Sequence, residues 1–200
     1  MSRFSQAISE GDGISVIPVL RGDVARLASL AADAGAEAVA VSTVAEAEEA
    51  LAETGLPILV RSGAPGEVAA CGAHAFVLVF EHVRAEAETP EELYGLGREL
   101  DLDCAVDVRD EDELAEALDR LDPEIILLSE RDSDKDEEAL ERTLDLLPDV
   151  PAGKLVISDG PVIAREQVVA LERAGVDAVL VEADFLREEF TAVLAELTGR

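Results

Sequence analysis

Arg21, Arg61 and Asp107 each stand at or near the end of an otherwise apolar run: Ser15-Val16-Ile17-Pro18-Val19-Leu20, Pro57-Ile58-Leu59-Val60 and Cys104-Ala105-Val106. A guanidinium stays charged at any physiological pH, since its pKa lies above about 12. A carboxylate in the same place can accept and return a proton. Two fixed cations and one such carboxylate suit a small anionic ligand and proton transfer. Ser129, Ser158, Asp159, Gly160 and Glu182 follow later apolar runs in the same manner, with Arg131 two residues beyond Ser129. Ser42, Ser62, Glu81, His82, Arg109, Glu130, Asp132 and Asp184 complete a polar set at the same relative positions. The plainer reading of each residue alone is a solvated cap on a strand.

Other chemistries find less support. His74 precedes an apolar run and reads as structural; His82 follows one and reads as a solvated loop residue. No cluster of His, Asp and Glu has metal-ligand spacing, so neither a metal nor another cofactor is expected. No Gly-x-Gly-x-x-Gly occurs, and the Arg21-Gly22-Asp23 tripeptide is coincidental in a loop after a strand. Cys71 and Cys104 form no Cys-x-x-Cys pair and read as buried free thiols.

The elements that must position these residues alternate along the chain. Strands are expected over 15–20, 38–42, 57–61, 75–80, 103–108, 124–129, 154–158 and 178–182. Most are continuous apolar runs, the pattern of strands buried on both faces of a parallel sheet. Helical patterns fall between them at 23–33, 43–53, 65–70, 90–100, 110–121, 134–147, 164–174 and 187–197. Thr43-x-x-Glu46 and Thr89-Pro90-x-Glu92 are capping boxes, and Asp110 and Asp134 are N-cap candidates. Ala34-Gly35, Cys71-Gly72 and Ala174-Gly175 each end a helix two or three residues before a strand, which marks one βα unit used repeatedly.

Eight strands and eight helices in strict alternation give either a closed (β/α)8 barrel or an open doubly wound sheet. An open sheet often carries a glycine-rich phosphate turn after its first strand, and this chain has none. We therefore expect a single α/β domain over 1–200, a compact (β/α)8 TIM barrel with short loops and no added domain. Active sites of such barrels lie at the C-terminal strand ends, where the polar set falls.

Composition narrows the surroundings. The chain has 200 residues, 45 Asp+Glu against 16 Lys+Arg, and a formal net charge of −29. A field of that sign repels nucleic acid and anionic membrane. Lys135 and Lys154 are the only lysines. Abundant acid with so little lysine fits a halophilic, salt-rich cytoplasm, where screening relieves self-repulsion. Met1-Ser2-Arg3-Phe4 opens no signal-peptide run, and no stretch approaches the roughly 20 apolar residues of a membrane span.

At these residues the chain resembles the indole-3-glycerol-phosphate synthase family, the barrel enzymes of tryptophan biosynthesis. The resemblance runs from Phe4 to about Arg187. It is carried by Leu56-Pro57-Ile58-Leu59, by Val106-Asp107-Val108-Arg109-Asp110-Glu111, by Ser129-Glu130-Arg131-Asp132 against the family's Asn-Asn-Arg-Asp, and by Ser158-Asp159-Gly160 against its Glu-Ser-Gly. The resemblance implies a lyase that closes an indole ring on a phosphorylated anthranilate derivative, with loss of carbon dioxide and water. It also implies where roles fall. The family's first-strand glutamate falls on Val19 and its lysine on Arg21. Its third-strand catalytic lysine falls on Arg61, its fifth-strand glutamate on Asp107, its sixth-strand asparagine on Ser129 and its seventh-strand glutamate on Ser158. Its phosphate-binding groups fall on Asp159, Glu182 and Ala183, with Gly160 and Arg131 retained.

Catalytic roles are therefore expected at Arg21, Arg61, Asp107, Ser129 and Ser158, and substrate contacts at Arg131, Asp159, Gly160 and Glu182. Three functions remain open: a weakened or rebuilt enzyme of this family, a non-catalytic barrel that binds a ligand or partner, and a lyase or isomerase for another small anion.

Overall fold

A computed structural model describes residues 3–11, 13–80, 89–129, 143–162, 164–182 and 190–199. Glu81, His82, Glu130, Arg131, Asp132, Ala183, Asp184 and most of the expected helix at 134–147 lie outside the described residues.

The eight strands are β1 (Ser15–Leu20), β2 (Val39–Thr43), β3 (Ile58–Ser62), β4 (Ala75–Val79), β5 (Asp103–Val108), β6 (Ile125–Ser129), β7 (Leu155–Asp159) and β8 (Ala178–Glu182). All pair in parallel in sequence order, and β8 returns to β1 through Ser15↔Ala178 to Val19↔Glu182. The ring is closed, as expected. Closure leaves no strand edge and divides each strand's side chains between two buried environments. Ile17, Val19, Ala40, Leu59, Ala105, Leu127, Ile157 and Leu180 fill the interior. Val16, Leu20, Val41, Val60, Val106, Leu128, Val156 and Val179 face the helices. Two buried faces explain why the strands read as unbroken apolar runs.

The described helices are α1 (Arg3–Ser9), α2 (Val24–Asp33), α3 (Val44–Glu53), α4 (Pro65–Cys71), α5 (Pro90–Glu99), α6 (Glu111–Arg120), α7 (Arg165–Ala174) and α8 (Phe190–Thr198). Both expected capping boxes form: Thr43 and Thr89 accept the N–H of Glu46 and Glu92, whose carboxylates accept the threonine N–H groups. Gly72 and Gly175 end α4 and α7 at φ 90° and 104°, a left-handed turn that a side chain would strain. Residues 143–146 are helical and run into a 3-10 turn at Leu147–Asp149.

Helix α1 is not among the sequence expectations. Its seven residues plug the N-terminal end of the barrel, with Phe4 and Ile8 in the interior cluster. The Ser5 N–H donates to Asp103 Oδ2 at 2.6 Å, and Arg3 donates to the Gly55 carbonyl at 3.2 Å. Seven residues carry little helical periodicity, and α1 lies before the strand–helix alternation that made the equally short α4 legible between β3 and β4.

Among the described residues, no helix is long and apolar enough to cross a membrane. Cys104 is buried and Cys71 half-buried, both free. Burial pushes the Cys104 thiol well above its ordinary pKa, which keeps it protonated and poorly nucleophilic.

Candidate functional site

Residue parity decides which strand-end groups reach the barrel mouth. Paired residues on adjacent parallel strands point to the same side. Asp107 pairs with Val79 and Leu127, and Glu182 with Val19, all members of the interior layer or packed against it. Asp159 pairs with Ser129 two residues beyond the interior pair Leu127↔Ile157. Arg61 stands two residues beyond interior Leu59, and Arg21 two beyond interior Val19. Asp107, Ser129, Asp159, Glu182, Arg61 and Arg21 therefore converge on one mouth.

Two sub-sites are resolved there. In the first, Arg21 Nε and Nη2 donate to Glu182 Oε2 and Oε1 at 2.7 and 3.0 Å. Arg61 Nη1 donates to the same Oε1 at 3.2 Å, and Arg61 Nη2 donates to Asp159 Oδ2. Arg61 leaves β3 and meets carboxylates on β7 and β8, so the chain Arg21–Glu182–Arg61–Asp159 crosses the opening. Side-chain exposure falls from 47% at Arg21 to 16% at Asp159, so the network begins in solvent and ends in the barrel. Ion pairs this open to water are screened and contribute little stability each.

The second sub-site is buried. Ser129 Oγ donates to Asp107 Oδ1 at 2.5 Å across β6 and β5, with 5% and 4% of the two residues exposed. A hydroxyl donor orients the carboxyl and satisfies one of its oxygens in a place where unmet polar atoms are costly.

The structure does not bring Ser158 to the mouth. It pairs with Leu128 and Val179, both in the helix-facing layer, and is fully buried on that side. The inward residue at the end of β7 is Asp159, one position later. Gly160 lies next to this pair; a Cβ there would come within 3.7 Å of Ser158 Oγ. Arg131 lies outside the described residues. Among the described residues, no group of three or more His, Cys, Asp and Glu is placed to hold a metal ion.

Arg109 serves a different place. Its backbone N–H and its guanidinium Nη2 donate to Glu113 at 3.0 and 2.8 Å, while the Glu113 N–H donates to Asp110 at 2.8 Å. This reciprocal arrangement fixes the turn from β5 into α6. It leaves Arg109 on a cavity of about 440 Å³ shared with Asp110, Glu111, Asp112, Asp145 and Leu146. Glu113 was not among the expected residues; its signal is the Asp110-x-x-Glu113 spacing of a helix start, although its carboxylate accepts the N–H of Arg109 and not that of the Asp110 cap. At the opposite end of the barrel, Asp177 accepts the Val156 N–H at 2.7 Å, and burial raises its pKa despite that bond.

Comparison with known proteins bears on this arrangement. The family model described as indole-3-glycerol phosphate synthase matches residues 66–197. The indole-3-glycerol phosphate synthase of Geobacillus sp. (strain WCH70) is 32% identical over 118 residues, 59% of this chain and 45% of that protein. That of Acidithiobacillus ferrooxidans (strain ATCC 53993 / BNL-5-31) is 36% identical over 121 residues, 60% of this chain and again 45% of the relative. The matched chain thus spans less than half the length of these relatives. Among solved structures, two mutant forms of the tryptophan synthase alpha-subunit from Pyrococcus furiosus superpose with TM-scores of 0.69 and 0.72. Each is 18% identical; they cover 93% and 94% of this chain, and 98% and 99% of their own. At that identity the likeness is one of fold.

Proposed function

The chain belongs to the indole-3-glycerol phosphate synthase family, and from that premise we propose that it is a rebuilt member whose mouth takes a small, non-phosphorylated anion. In this reading most catalytic and phosphate-site positions of the family hold other residue types. Arg21 and Arg61 keep the positive charge of the family's lysines. A guanidinium does not release its proton near neutral pH, so they bind and stabilise charge without acting as general acids. Asp107, oriented by Ser129, is the proton acceptor. Arg131 orients the ligand.

The observation that carries this reading is the pairing of Arg61 with Asp159 and Glu182. Those two carboxylates occupy positions that the resemblance assigns to phosphate binding. At about 4 Å, and an effective dielectric of about 20, each repels a unit negative charge by about 4 kcal/mol, enough to cancel the attraction of one of the two arginines. An assay of indole-ring formation with the family's phosphorylated substrate tests the reading. Supporting results are no turnover above background and no substrate-induced rise in melting temperature. Saturable turnover that Asp107→Asn abolishes overturns it.

The closure of the ion pairs across the mouth also favours a second reading, a barrel retained for binding alone. Purification from the native host distinguishes the two: a stable protein complex supports it, and a chain that emerges alone counts against it.

The same proposal extends to the surroundings. One barrel domain over 1–200 works in a salt-rich cytoplasm, and the acidic surface is its adaptation to salt.

A further inference from the structure

Glu182 is held as a bound ligand would be. Its two oxygens receive three N–H groups from two strands that are not neighbours, Nε and Nη2 of Arg21 beside β1 and Nη1 of Arg61 on β3. The Arg21 contact is the two-pronged pairing in which a guanidinium recognises a carboxylate. We infer that Glu182 is the resident occupant of a carboxylate site built by Arg21 and Arg61, and that a carboxylate-bearing ligand enters the mouth by taking its place. This rests on the rebuilt mouth proposed above and names the anion it takes.

The exchange is physically balanced. The Glu182 and Arg21 side chains are 31% and 47% exposed, so solvent reaches the pair and a displaced carboxylate is hydrated instead of stranded. An incoming carboxylate accepts the same three N–H groups, so charge-assisted hydrogen bonds are conserved. Asp159 stays on Arg61 throughout and keeps that guanidinium aimed across the mouth. A phosphate dianion would double its attraction to the two arginines as well as its repulsion from Asp159 and the displaced Glu182, so it is the two-pronged pairing with a carboxylate already present in the fold, and not net charge, that names the ligand class. The tethered carboxylate competes at a high effective concentration, so its removal strengthens binding from outside.

Thermal melting of full-length Glu182→Ala tests this, with sodium acetate as the probe and sodium chloride at matched ionic strength as the comparator. Acetate is expected to raise the melting midpoint of the variant about 2–4 °C above its value in chloride, and saturably. The wild-type protein should melt alike in acetate and chloride. Arg21→Ala combined with Glu182→Ala should erase the difference. Glu182→Gln keeps the side chain's shape without its charge and supports the same comparison if the alanine variant does not fold. Equal melting of both Glu182 variants in acetate and chloride, or an acetate effect that survives the loss of Arg21, overturns the inference. Turnover is not the readout, so activity on the phosphorylated substrate would remove the rebuilt-enzyme reading and leave this result standing.

Discussion

Ser129 donates its hydroxyl to Asp107 across two neighbouring strands, and the pair sits beneath the mouth with almost no solvent contact. A buried polar pair of this kind is costly to break on one side only, because the remaining partner loses both water and its hydrogen bond. Ser129→Ala is expected to cost about 1–3 kcal/mol. Asp107→Asn keeps an oxygen acceptor and should cost less, while removing the proposed proton acceptor. Urea unfolding of both single variants and the double variant measures the coupling. Strictly additive losses would show that the two side chains do not act as a pair.

His74 gives the fold a pH dependence at the other end of the barrel. Its Nδ1 accepts the Ile58 N–H at 3.2 Å, and Arg3 Nη1 lies 3.5 Å from Nε2. Burial lowers its pKa below the ordinary 6.5, Arg3 lowers it further, and Asp103 partly offsets both. The folded protein thus prefers neutral imidazole, while the unfolded chain takes up a proton at the ordinary value. This contribution is full above about pH 6.5 and is lost as pH falls from there toward the depressed folded value. Between about pH 7 and about pH 5, the wild-type urea midpoint should fall more steeply than that of His74→Gln. Parallel profiles would remove His74 from this role.

Two glycines of α5 should respond to alanine with opposite signs. A Cβ at Gly97 would lie 2.5 Å from Phe76 Cε1, and Phe76 is almost fully buried, so the ring has little room to yield. Gly97→Ala should destabilise by about 1–3 kcal/mol through overpacking. A Cβ at Gly95 meets nothing within 4 Å, so Gly95→Ala should stabilise by about 0.5–1 kcal/mol through helix propensity. Chemical denaturation of the two variants reads the difference, and a stabilised Gly97→Ala would contradict the packing account.

Salt should stabilise this chain. At a formal charge of −29, self-repulsion opposes the compact state. Raising potassium chloride from about 0.1 M to about 1 M shortens the Debye length from about 10 Å to about 3 Å. The melting temperature should rise across that range, although the exposed ion pairs at the mouth weaken. A flat or falling midpoint would sink the salt-adapted reading.

Particular elements show why some of this structure was legible in the residues and some was not. β1, β5 and β8 fall where their apolar runs place them, and β2, β3 and β7 begin and end one residue later than expected, the usual ambiguity of a strand end. At β7 one residue changes the chemistry. Successive side chains point to opposite faces, so Asp159 faces the mouth and Ser158 the helices. Cys71, read as buried, is half-buried at the end of α4.

The sequence by itself determined the alternation of strands and helices: eight apolar runs, the capped helices between them and the glycine stops are local signals, each set by residues a few positions apart, whereas closure of the ring rests on the pairing of β8 with β1. It also determined that Arg21, Arg61, Asp107, Ser129 and Glu182 stand at strand ends. Only the tertiary structure decided their partners. Arg61 meets Asp159 and Glu182 across separations of 98 and 121 residues, and Arg21 meets Glu182 across 161. No local pattern encodes such a contact, because it exists only once the barrel has closed and side-chain parity has turned these groups toward one opening.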